Sequence, residues 1–230
     1  MSRARPQALE RLRWRGGIAL ERRLPPRLAQ ALLRRPVFDL DRRYLRGLRG
    51  IEIGASAHNP YVRDAINVDR YASMDTHHKR HERRLHGRPA PVDVVAPGDD
   101  LPFPDRSCDF VLASHVIEHF PDPIGALEEW LRVSREYILL VVPHRDRTLD
   151  RDRPLTSIAE LERRHRERFA SEEDLHWSVW TGESFLELCA HLGLPVVELE
   201  DPDRKRGNGF AVVISAREAH RQRAEREAGR

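Results

Sequence analysis

The sequence predicts an α/β fold built on a mostly parallel sheet. Three observations lead there. Asp109-Phe110-Val111-Leu112-Ala113-Ser114 is a short apolar run, opened by a polar residue and closed by a small one, the pattern of a strand buried on both faces. The period then switches to helical, with Ile117, Leu127, Trp130 and Leu131 apolar while Glu128 and Glu129 face water. Short strand patterns precede this unit at 51–53, 65–69 and 92–95 and follow it at 137–142. At 230 residues the chain suits one domain with a sizeable core and at most a small appended subdomain.

Composition narrows the function classes. Basic residues number 40 against 37 acidic, a net charge of +3, and only Lys79 and Lys205 among the basic residues are lysines. So heavy an arginine skew reads as a GC-rich genome rather than a binding surface, which argues against nucleic acid as a partner. Cys108 and Cys189 stand alone, without CxxC or metal spacing, and read as small core hydrophobes in a reduced compartment. No apolar run approaches the ~20 residues of a membrane span. The first twenty residues lack a signal-peptide core, so a cytoplasmic location is expected.

Taken in order, residues 1–49 are dense in arginine and leucine, with Pro25-Pro26 dividing them into two short helices. A helical cover on the sheet is expected there, with a lid or a membrane-surface face as alternatives. Ile51–Ile53 is a strand ended by Gly54, where backbone approaches a ligand closely. Ala65–Asp69 is the second strand, and its terminal carboxylate can accept both hydroxyls of a ribose. The histidines of 77–87 have no regular metal spacing and read as solvated on a charged helix or loop. Val92–Val95 is the third strand, with Asp99-Asp100-Leu101 in its exit loop. Tyr137–Val142 is the fifth, ending at Pro143-His144.

Residues 145–180 have no place in a minimal α/β domain. Ser157 to Glu160 predicts a capping box for a helix to about Arg168. Thr181 caps the next helix, which ends at Gly193. Val196–Leu199 and Phe210–Ser215 form a closing strand pair joined through Asn208-Gly209, so the last strand runs antiparallel. The tail from Ala216 to Arg230 is charged and reads as a frayed helix or disorder.

The string from Asp99 to Pro123, DDLPFPDRSCDFVLASHVIEHFPDP, resembles the acidic loop, LPF, strand and EH segment of class I S-adenosylmethionine-dependent methyltransferases. Glu52-Ile53-Gly54 is similar to their first motif, (D/E)xGxGxG, with Ser56 and His58 where the second and third glycines would stand. The resemblance implies a Rossmann-like domain over 50–215, with seven strands, S-adenosylmethionine as cofactor, and 145–180 inserted on the acceptor side. It implies a cofactor edge of Glu52, Gly54, Ala55 and Ser56 in the first loop, with Asp69 at the ribose. Asp99 or Asp100 and the Leu101 amide would meet the adenine, and Ser114 and His115 the methionine end. Asn59-Pro60-Tyr61 is similar to part of an NPPY motif but follows the first strand rather than the fourth, and is discounted.

Methyl transfer to a hydroxyl needs a positioned acceptor and a group to take its proton. His115, His119 and His144 are the side chains of suitable basicity at the carboxyl edge. His144 is the first choice of general base and His119 the second. His115-x-x-Glu118-His119 also fits the HxxEH spacing of a zinc peptidase helix, but it begins at a strand end. Some similar methyltransferases bind a divalent cation through an ExxE(H) cluster at this place. Magnesium is therefore carried as an optional cofactor, with His115 standing where their first glutamate would be.

Arginine, aspartate, Trp177 and Trp180 in the insertion suit a hydroxyl-rich acceptor, although both tryptophans could equally be core. The whole resembles actinobacterial sugar O-methyltransferases, which implies a sugar or polysaccharide acceptor. An RNA methyltransferase and a cofactor-binding scaffold without activity are the competing readings. A homodimer is compatible with the sequence.

Overall fold

A computed structural model describes residues 39–57 and 64–229, without the side chains of Leu85 and His86. Of the helical cover expected over residues 1–49, the first 38 residues lie outside the described residues, as do His58 and Asn59-Pro60-Tyr61.

Seven strands form one sheet: β1 (Gly50–Ile53), β2 (Ala65–Asp69), β3 (Val94–Val95), β4 (Cys108–Ser114), β5 (Ser134–Pro143), β6 (Val196–Glu200) and β7 (Gly209–Ser215). Their order is β3-β2-β1-β4-β5-β7-β6. The pairs from β3 through β5 are parallel, and β7 alone runs against both of its neighbours. The expected sheet, mostly parallel with an antiparallel last strand, is the one found. The chain runs outward from β1 to β3 and returns on the other side of β1 as β4. That reversal creates a crevice at the carboxyl ends of β1 and β4, where open α/β sheets bind ligands. Ile53 pairs with Ala113, so the two strands end level.

Alternation along the strands buries both faces. Val111, Ala113, Ile138, Leu140, Val212 and Ile214 belong to one core, which also holds apolar residues of α3 (Pro123–Val133), α5 (Gly182–His191) and α6 (Ala216–Ala228). Phe110, Leu112, Leu139, Val141, Ala211 and Val213 belong to the other, with Leu40 and Leu45 in and beside α1 (Leu40–Tyr44). Cys108 and Cys189 are free and buried, and burial raises their thiols to about 11 and about 12, so both stay protonated at neutral pH.

Several boundaries differ from the sequence expectation for local reasons. β3 begins at Val94, not Val92, because the Asn67 amide donates to the Asp93 carboxylate (2.8 Å) in place of a strand carbonyl. β5 reaches Pro143, which needs no amide partner and pairs with Gly209. In α4 (Ile158–Arg166) Ser157 Oγ accepts from Glu160 N at 3.2 Å, but no reciprocal half completes a capping box. The Glu160 carboxylate is bound to Arg163 instead. The full box belongs to α5, where Thr181 and Ser184 cap each other's amides.

The charged tail is an ordered helix. Ser215 caps α6, Ala216 and Ala219 are buried, and Arg221 bonds both Glu218 and Glu225 one turn away on either side.

Candidate functional site

The crevice between β1 and β4 is assembled from four loop regions. Gly54 leaves β1 with φ +64°, a left-handed conformation that glycine adopts without strain. A Cβ there would stand 3.1 Å from Val116 Cγ2, so the β1 turn and the β4 exit are in near contact. The first loop spends its donors inside the protein. Gly54 N bonds Val68 O at 2.8 Å, Ala55 N bonds Asn67 Oδ1 at 3.0 Å, and Ala57 N bonds Glu82. Ala55 therefore offers shape, not an open amide. The braces from Asn67 and Glu82 stand in for the missing glycines.

Glu82 and Lys79 come from α2 (His77–His86), and both are buried. Lys79 Nζ donates to Ala55 O (3.2 Å) and Ala90 O (3.0 Å) and lies 4.0 Å from Asp69 Oδ2. The segment read as a charged surface helix or loop thus carries the cation that holds the first loop. A signal was present: Lys79 is one of two lysines among 40 basic residues.

Asp69 ends β2 as expected. Its Oδ1 accepts from Tyr71 N at 3.0 Å, which leaves most of the carboxylate's acceptor capacity unspent. The acidic loop after β3 is pinned to α3 by Trp130 Nε1, which donates to Gly98 O at 2.7 Å. Partial burial raises the Asp99 carboxyl above its ordinary range, although the residue as a whole is exposed. Leu101 departs from expectation. Its side chain is in the core, and its amide, assigned to the adenine, donates to Glu129 Oε1 at 2.7 Å.

At the β4 exit, Ser114 Oγ accepts from Lys205 Nζ at 2.8 Å. Lys205 comes from the β6–β7 loop and was not singled out from sequence. Burial, with the neighbouring Arg206 charge, lowers its amine from 10.5 to about 8. The unfolded chain therefore binds more protons between pH 8 and 10.5, so stability contributed by this group rises with pH through that window. Wild type should gain thermal stability across that window relative to Lys205→Met. Parallel melting curves for the two proteins across the same pH range would remove the assignment.

His115 follows with φ +55°. Burial, then the nearby Lys205 charge, lowers its ring to about 4, so it is neutral at physiological pH. A 3-10 turn, Ile117–His119, follows in place of the first turn of a helix. The two histidines of the HxxEH string therefore do not stack on one helical face, as a peptidase site would require.

The turn directs Glu118 inward. Its side chain is fully buried, burial pushes its carboxyl up to about 8, and neither oxygen has a hydrogen-bond partner among the described residues. His115 Nδ1 and His119 Nε2 stand 3.8 and 3.9 Å from Oε1. The Glu118 carbonyl accepts from Trp177 N at 2.7 Å and Ser178 N at 3.3 Å, which brings the insertion onto the turn. Buried Arg164 secures that join through Pro121 O (2.9 Å) and Ser178 Oγ (2.9 Å).

His176, next to Trp177, consequently faces His119, with ring centroids 4.8 Å apart at 88°. A carboxylate stands near Nδ1 of each ring, hydrogen-bonded only at His176, since His119 Nδ1 has no hydrogen-bond partner among the described residues. Asp150 Oδ2 is 2.6 Å from His176, and Asp174 Oδ1 is 2.8 Å from His119. Sequence reading missed His176, because it lies 57 positions along the chain from His119. Its position before two tryptophans carried no metal or catalytic spacing.

His144 differs most from its expected part. Its Nδ1 accepts from Asp146 N at 3.1 Å, capping the turn Arg145–Arg147. The lone pair a base would use is thereby committed. Nε2 lies 3.9 Å from Asp201 Oδ2 in the segment that links β6 to β7. Burial and the Arg147 charge lower its pKa, which keeps the cap neutral. His144 was expected as the first choice of general base, and its ring is found capping the Arg145–Arg147 turn. Trp180 is also corrected as an acceptor platform. It is 1% exposed and packs edge-on against Phe185 in the core. Trp177 is half-buried against Phe169.

Residues 50–141 match the family model described as "Methyltransferase domain", and that segment contains β1 to β4 and most of β5. The chain is 42% identical over 66 residues to an uncharacterized methyltransferase of Mycobacterium sp. (strain KMS), and equally to one of strain MCS. The match covers 27% of this chain and 26% of each relative, so the chain spans about a quarter of their length. Among solved structures, a SAM-dependent methyltransferase from Aquifex aeolicus has 12% identity and a TM-score of 0.45, over 74% of this chain and 82% of that one. A Thermotoga maritima protein described as a SAM-dependent methyltransferase, possible histamine N-methyltransferase, has 19% identity and a TM-score of 0.47, over 78% and 86%. No helix among the described residues is long and apolar enough to cross a membrane.

Proposed function

We propose that the methyltransferase domain at residues 50–141 makes this chain an S-adenosylmethionine-dependent O-methyltransferase, acting on a hydroxyl of a small molecule or glycan, with a sugar favoured. The carrying observation is one juxtaposition at the carboxyl edge: the Gly54 turn, the strand-end Asp69 and the Glu118–His119–His176 cluster. The residues fit the cofactor. Gly54 keeps the β1 turn free of a side chain, and Asp69 retains acceptor capacity for a diol. Asp99 offers a partly desolvated carboxyl for the adenine side. Glu52, Ser56, Asp100, Ser114 and His115 complete the proposed edge. When bound, S-adenosylmethionine supplies an electrophilic methyl group on its sulfonium.

The chain's own work is then to hold the acceptor in line, exclude water and accept a proton. A hydroxyl has a pKa far above neutral, so its proton must leave as the methyl moves. The cluster at the β4 exit is the favoured place for that proton, rather than His144. Burial and the facing His176 lower the His119 pKa, which keeps that ring neutral. Asp150 sits on the 3-10 turn Leu149–Asp152, and exposed Arg151 and Asp152 on the same turn can hydrogen-bond vicinal hydroxyls. This supports a hydroxyl-rich acceptor.

Incubation with S-adenosylmethionine labelled in its methyl group, against panels of glycosides, small alcohols and RNA, tests the reading. Label is expected as an ether on a sugar or small-molecule hydroxyl. Label on nitrogen or in RNA would overturn the acceptor assignment.

A further inference from the structure

We infer that, given the methyltransferase reading on which this rests, Lys205 binds the α-carboxylate of the cofactor's methionine moiety, so that the segment between β6 and β7 completes the cofactor site. Lys205 Nζ donates to Ser114 Oγ at 2.8 Å, at the last residue of β4. Its charge also acts on the His115 ring, so the amine lies beside both residues assigned to the methionine end. Glu52 on β1 is near enough for its own charge to act on the amine. The methionine moiety carries an ammonium and a carboxylate on one carbon. Glu52 and Lys205 offer the opposite charge to each.

The fold holds this lysine in place. Residues 201–208 join β6 to β7, and β5 stands between β7 and β4, so Lys205 reaches across the end of β5 to meet Ser114. Buried Asp203 braces the segment. Its carboxylate accepts from Arg206 N at 2.8 Å and Gly209 N at 2.7 Å, and its own amide donates to Gly209 O at 2.9 Å. Arg204 N donates to Glu200 Oε1 at 2.6 Å, and Asn208 O accepts from His144 N at 3.1 Å. Lys205 thus sits between fixed neighbours on both sides, and little ordering is left for binding to cost. The half-buried amine, lowered by burial to about 8, is still mainly protonated at neutral pH. A carboxylate against a partly desolvated ammonium offsets the desolvation. A neutral hydroxyl acceptor brings no such charge, whereas the cofactor brings one carboxylate to this end in every turnover.

Calorimetric titration with S-adenosylhomocysteine, and with its decarboxylated analogue that keeps the ammonium, reads the contact directly. Wild type is expected to bind S-adenosylhomocysteine about tenfold or more tighter than the analogue. Lys205→Met should weaken S-adenosylhomocysteine about tenfold and change the analogue less than about twofold, the coupling expected of groups in contact. Lys205→Arg should restore most of the lost affinity, since a guanidinium also pairs with a carboxylate. Circular dichroism should report both variants folded. Equal losses for the two ligands in Lys205→Met would make the lysine a structural brace and overturn the inference. No loss for either ligand would also overturn it, and a raised acceptor KM in that variant would then assign Lys205 to the acceptor. Wild type that binds neither S-adenosylhomocysteine nor S-adenosylmethionine would instead bring down the methyltransferase reading, and the carboxylate contact with it.

Discussion

Asp69→Ala is expected to weaken S-adenosylmethionine binding about tenfold or more while the chain keeps its fold. Hydrogen bonds to a charged group contribute roughly 1.5–3 kcal/mol, and about 1.4 kcal/mol is already a factor of ten. Asp69 is the last residue of β2, with one oxygen engaged by Tyr71 N and the other 4.0 Å from Lys79. The substitution removes one turn bond and the pairing with Lys79, which keeps Glu82 at 3.5 Å, and leaves the β1–β2 ladder intact, so circular dichroism and melting should change little. Calorimetric titration reads the affinity directly. An unaltered affinity would remove Asp69 from the ribose.

His119→Ala should lower kcat by roughly two to four orders of magnitude, with S-adenosylmethionine affinity nearly unchanged. The imidazole stands between buried Glu118 and His176 on the proposed acceptor side, whereas most of the proposed cofactor edge lies at the ends of β1 to β3, with only Ser114 and His115 at the end of β4. His144→Ala, by contrast, should cost about 0.5–1.5 kcal/mol of stability through loss of the Asp146 cap, with kcat within about threefold of wild type. A His144 variant losing as much turnover as the His119 variant would restore His144 as the base.

The sheet was legible in the sequence because its signals are local. The apolar run 109–114, the Gly54 stop and the acid closing β2 each report a strand from fewer than ten residues. The closing hairpin is equally local, with Asn208-Gly209 leading into β7. The shortening of β3 was not legible, since it depends on an Asp93 side chain reaching the Asn67 amide on another strand.

The same division holds in the site. Gly54, Asp69 and Ser114 could be placed because strand ends fix them. His144 could be placed at its strand end too, but the use of its lone pair by Asp146 N is a matter of ring orientation. His176 could not be placed at all. Its approach to His119 follows from the hydrogen bonds between the Glu118 carbonyl and the amides of residues 177 and 178, across the whole of α3, β5 and α4. Lys79 and Lys205 lie in charged segments, and the burial of Lys79 against Ala55 and Ala90 and the bond of Lys205 to Ser114 come from the tertiary fold.

The most direct measurement is a thermal-shift and calorimetric titration of wild type with S-adenosylmethionine, S-adenosylhomocysteine and NAD. The account predicts that the first two bind at one site and stabilise the chain by RT ln(1 + [L]/Kd), while NAD does neither. Stabilisation by NAD, or by none of the three, would contradict it.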